Sequence, residues 1–218
     1  DPATLEEFVG ALPTDALLTL LGPGDEAQDG QVSGALVGEV SEYYRITKTT
    51  TAAVNKGLKH ILEPIRWLVN NRQPTSLDRN TAVWFARDGV AQRDFLLVMR
   101  RQTGYFDFTL VSRTLGADDW SVLLFGNFTP GAEPGRGQGA VLVNLDGDGD
   151  DNSVGKVLAL WSNVGDERTV TAYFYEASGD LQDHGPRNEV YHYMRERTGA
   201  GVFVYHIAGL DIDKPGSG

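Results

Sequence analysis

Cysteine is absent from the 218 residues. No disulfide, thiol nucleophile or zinc–thiolate centre can therefore form, and stability must come from packing rather than covalent staples. Methionine is nearly as scarce, with two residues. Basic residues are outnumbered, with 19 Lys and Arg against 30 Asp and Glu, for a net charge of −11. Phosphate backbones are bound by basic faces, so this balance argues against a nucleic-acid role; it favours solubility and disfavours a bare approach to anionic lipid. No hydrophobic run approaches the roughly 20 apolar residues of a membrane span. The Gly-x-Ser-x-Gly elbow is missing, and Ser178-Gly179-Asp180 and His184-Gly185-Pro186 read as loop, leaving Ser-His-Asp catalysis without local support. No catalytic residue is assigned.

What is present suffices for a core. The chain is 41% hydrophobic and 22% charged, which separates it from disordered sequences. It begins at Asp1 without Met, so the expectation is a leader removed upstream, either a signal peptide or a lipid-anchored one. Three parts are expected: an N-terminal helical segment and acidic linker over 1–34, a helix-plus-meander domain over 35–211, and a loose tail over 212–218.

Leu5, Phe8, Val9 and Leu12 make a short helical stripe, Pro13 interrupts, and Leu17, Leu18, Leu20 and Leu21 make a second piece before Gly22-Pro23-Gly24. The chain then holds a three-four spacing through Val37, Val40, Tyr44, Thr47, Thr51, Val54, Leu58, Ile61, Ile65 and Leu68, which is one seam of a helix over about 35–71. A Thr-rich stretch near Lys48 and Pro64 would break or bend it. Asn70, Asn71 and Pro74 would close it. Trp67 and Val69 widen its apolar arc, so its C-terminal half is expected to be the more deeply buried.

From residue 81 the period falls to two. Nine strands are expected, at 81–87, 93–101, 105–113, 120–128, 138–145, 154–162, 168–176, 188–197 and 201–207. Asp88-Gly89, Thr103-Gly104, Gly165-Asp166 and Thr198-Gly199 carry hairpin chemistry. No helical pattern separates the strands, so sequential antiparallel pairing follows. The fold class is α+β: an antiparallel β-meander, strongly curved or an open barrel, packed on a long amphipathic helix. Runs apolar on both faces, such as Phe95-Leu96-Leu97-Val98-Met99, imply covering on two sides.

Four features carry possible chemistry. In Asp146-Gly147-Asp148-Gly149-Asp150, alternate aspartates match the first three ligands of a calcium loop. Asp151 at the sixth position and Val157 at the twelfth depart from an EF-hand, so the choice lies between a bound Ca²⁺ and a soluble turn. If Thr198-Gly199-Ala200 is the loop of the last hairpin, His192 faces His206, a pair able to titrate near neutrality or hold a transition metal. Gly135-Arg136-Gly137-Gln138-Gly139 enters a strand rather than a helix and so lacks the context of a phosphate cradle. Trp67, Trp84, Trp120 and Trp161 either line a pocket or fill the core.

A Leu-rich start, a long amphipathic helix and a Gly-punctuated meander together resemble uncharacterised bacterial envelope lipoproteins. In architecture the chain is similar to lipocalin-like and lipoprotein-carrier β-barrels, in which a sheet wraps helices around a greasy cavity. The lipocalin Gly-x-Trp does not occur on the first strand, where Ala82-Val83-Trp84 stands, so no family site residue carries over. The resemblance implies a periplasmic or outer-envelope location, with lipid anchoring or, second, secretion. The function expected is non-catalytic binding of a hydrophobic or amphipathic, lipid-like molecule between sheet and helix, with Trp67, Phe106, Phe108 and Leu110 as the holding residues. The alternatives are an assembly module using the helix seam or a sheet face, and an enzyme of unknown class resting on His192, His206 and surface carboxylates.

Overall fold

The computed structural model describes residues 2–12, 62–133, 136–147, 154–179, 182–196 and 201–207, with the single positions 19, 52 and 55. Helix α1 spans Pro2–Gly10, and a second helical run, α2, covers 62–71. Ten strands follow: β1 Ser76–Leu77, β2 Thr81–Asp88, β3 Arg93–Arg101, β4 Phe106–Thr114, β5 Ser121–Pro130, β6 Gly137–Asn144, β7 Val154–Val164, β8 Glu167–Gly179, β9 Gln182–Glu196 and β10 Gly201–Ile207. They form one open sheet in sequence order, each strand antiparallel to the next. The two-residue β1 was not expected from the sequence. Of the long helical seam, Ile65 and Leu68 lie within α2 and both are buried; Val37 to Ile61 lie outside the described residues, as does the Thr-rich break near Lys48. Pro64 sits inside the described helical run.

The turns follow from their residues. Val164 pairs with Glu167, leaving Gly165-Asp166 as a two-residue hairpin with Gly165 at φ 75°. Asp88 closes the β2–β3 turn by accepting the N–H groups of Val90 and Ala91 at 2.8 and 3.0 Å.

Alternation along each strand produces an inner and an outer face. Across the inner face, Trp84 stands opposite Leu97, Leu97 opposite Leu110, Leu110 opposite Leu124, Leu124 opposite Val143, and Val143 opposite Val157. Both helices join this one buried cluster, through Phe8 and Ala11 of α1 and Leu62, Ile65, Leu68 and Val69 of α2. The doubly apolar runs thus do not place a helix on each side. The Val122-Leu123-Leu124-Phe125 run has a different cause. The β4–β5 register shifts between Leu110 and Val111, which then oppose Leu124 and Val122, so Leu123 is an extra residue and both leucines are buried.

Three inner-face glycines make room for rings. A Cβ on Gly126 would lie 2.8 Å from Phe108 Cζ, one on Gly137 2.7 Å from Phe128, and one on Gly139 2.5 Å from Trp161 Cζ2. Gly139 is paired on one side with Phe128 and on the other with Trp161, whose rings stack at 6.3 Å. The glycine ladder at 135–139 therefore serves packing at Gly137 and Gly139.

Candidate functional site

The four tryptophans divide. Trp84 and Trp161 are core, whereas Trp67 is 49% exposed and Trp120 is also exposed. Trp67 projects from α2 beside a cleft of about 610 Å³, closed on its other wall by β2, the β2–β3 turn and the start of β3. Pro64, Trp67, Leu68, Ala86 and Phe95 supply its apolar lining, and Glu63, Arg72, Arg87 and Asp88 its charged groups. The Arg72 guanidinium carbon stands 5.5 Å from the centroid of the Trp67 ring, within cation–π reach. Asn71 Nδ2 donates to the Trp67 carbonyl at 2.9 Å and Arg72 N–H to the Leu68 carbonyl at 3.0 Å, so the last turn of α2 is tied off where the two side chains meet.

Arg87 is held from behind. Its Nε donates to Asp94 Oδ1 at 2.7 Å and its Nη2 to Oδ2 at 3.2 Å. Arg113 donates to Asp94 Oδ2 at 3.2 Å and lies over the Trp120 ring at 4.6 Å. Register explains the cluster: Arg87, Asp94 and Arg113 are neighbours in one row on the outer face of β2, β3 and β4. The Asp94 side chain has no exposed surface, but Arg87, which covers it, is 56% exposed, so the group is covered by its partners rather than by depth. The Arg87 hydrogen bond, reinforced by Arg113 against the cost of desolvation, holds the Asp94 carboxyl below the usual carboxylate range. The same bond holds the Arg87 guanidinium above its ordinary value.

Of the four residues expected to hold a ligand, only Trp67 lines this cleft. Phe108 and Leu110 are fully packed in the core. Phe106 meets Phe8 edge-on at 5.6 Å beneath Arg101 and lines a separate, more open recess with Glu7 and Tyr105. Phe95 was read only as part of a doubly apolar strand run, and Arg72 and Arg87 were not singled out in the sequence. Arg87 was legible only as an arginine beside the hairpin aspartate Asp88.

The expected histidine pair does not form. Gly201 pairs with Arg195, which places His192 opposite Val204 and His206 opposite Val190. The register differs by two residues from the one a Thr198-Gly199-Ala200 loop requires, so both histidines keep the outer face but lose each other as partners. His192 Nδ1 is instead 2.8 Å from Thr171 Oγ1 on β8. In the acidic turn, Asp146 Oδ1 accepts the Gly155 N–H at 2.8 Å from within a 3-10 turn at Leu145–Gly147. Asp148 and Asp150 lie outside the described residues. Among the described residues no three His, Asp or Glu side chains gather as a metal site, and no helix is long and apolar enough to cross a membrane.

Compared with protein-family models, with curated proteins and with solved structures, the chain matches none.

Proposed function

We propose that this is a non-catalytic bacterial envelope protein that binds a hydrophobic or amphipathic small molecule in the cleft between α2 and the β2–β3 hairpin. The observation that carries the reading is Trp67, a large ring left half in water at the wall of a concave, largely apolar surface. Covering such a ring removes apolar area from water at roughly 25 cal/mol per Å². The cleft volume falls in the range of about 300–1,000 Å³ usual for small-molecule sites, and its mix of apolar lining and few charged groups is what such sites require. The envelope location rests on the resemblance carried by the order of elements in the sequence.

Native mass spectrometry and organic extraction of the purified protein test the reading, together with titration by a medium-chain amphiphile. The expected result is a co-purifying or titratable ligand whose binding is lost in Trp67→Ala. A clean apo protein that takes up no amphiphile would overturn it.

A further inference from the structure

Building on that binding reading, we infer that the ligand carries an anionic head group, a carboxylate at the end of a single apolar chain, held by Arg72. A purely apolar ligand needs no cation, yet two of the ten cleft-lining residues are arginines in a chain of net charge −11.

The acids on the same rim are already committed. Asp88 accepts two backbone N–H groups of its own turn, and Glu63 has an interaction of its own. Arg72 has no carboxylate partner among the described residues; its guanidinium rests on the Trp67 ring. Arg87 uses Nε and Nη2 on Asp94 and keeps the rest of its five donors. A chain lying along Trp67, Leu68, Ala86 and Phe95 would bring its end to the Arg72 guanidinium, and arginine's donor fork matches a carboxylate.

The test compares dodecanoate with dodecanol, each below its self-association concentration, by calorimetry on the full chain and on Arg72→Gln. Dodecanoate is expected to bind about tenfold more tightly, or about 1.4 kcal/mol. Arg72→Gln should shrink that ratio by weakening dodecanoate more than dodecanol, and added salt should shrink it too. Arg72→Gln lies at an exposed position, with its circular dichroism as the folding control. Equal binding of both ligands to the parent chain, or a ratio untouched by Arg72→Gln, would overturn the inference and leave the binding reading standing. Binding of neither would remove the binding reading itself and the head-group assignment with it.

Discussion

Gly139 shows how a single residue sets the packing of this sheet. Its missing side chain is the space in which Phe128 and Trp161 stack, and a Cβ there would also come within 2.4 Å of the Asn127 carbonyl oxygen. Overpacking of this kind costs about 1–3 kcal/mol. Gly139→Ala should lower the urea midpoint accordingly, whereas Gly89→Ala, whose Cβ meets open space, should change stability by less than about 0.5 kcal/mol. Asp94 gives a second test at this scale. Its carboxyl titrates lower in the folded state than in the unfolded chain, so the unfolded state binds the proton more readily. The group's contribution is therefore fully present above the unfolded value near pH 4 and is lost as pH falls through the folded one. Between pH 7 and pH 3 the parent chain should lose more stability than Asp94→Asn, as read from denaturation midpoints at the two pH values; equal losses would contradict the role given to Arg87 and Arg113. Gly139 was legible only as one rung of a glycine ladder, and Asp94 was not singled out at all. A glycine beneath a ring and an aspartate between two arginines are created by cross-strand register, which no local spacing encodes.

At the scale of elements, strand periodicity was the legible signal. β3 and β10 occupy the spans that alternation predicts, because their apolar positions recur every second residue between turn-forming ends. β9 is the exception, beginning at Gln182 rather than near residue 188. Its first residues include His184-Gly185-Pro186, which read as a loop, yet the strand continues opposite β8 across register shifts at Phe174/Ala177 and Ala177/Gly179. That longer pairing is also invisible to a hairpin-loop argument, and the last hairpin differs by two residues from the alignment that would have joined His192 to His206. Helix placement was less legible than strand placement, since an amphipathic stripe says that one face is buried but not against which face of a sheet. α1 docks on the inner face through Phe8, which is fully buried against Phe106 with Arg101 over both rings. Glu7 pairs with the same arginine. Phe8→Ala should cost about 3–5 kcal/mol, measured as a fall in the denaturation midpoint; a change under 1 kcal/mol would mean that α1 is peripheral to the core.

At the scale of the whole molecule, the open sheet leaves its last strand paired on one side among the described residues. β10 carries no Lys, Arg, Asp or Glu, and its outward Val202 and Val204 are half exposed. Uncharged edge strands are templates for unwanted pairing. Val204→Lys should reduce light scattering on heating without lowering the urea midpoint, and unchanged scattering would show that this edge is not the weak point. The cleft is the other consequence of the open architecture. With both helices on the inner face, the end of α2 and the β2–β3 turn meet at the margin of the sheet, and Trp67 remains at the surface while Trp84 and Trp161 are sealed in the core. The four indole N–H resonances in a nitrogen-15 correlation spectrum therefore test the proposed function directly. During titration with dodecanoate, the Trp67 resonance is expected to shift saturably while those of Trp84 and Trp161 stay in place. A Trp67 resonance that does not move at saturating ligand, or a response confined to Trp120 on the outer face, would contradict it.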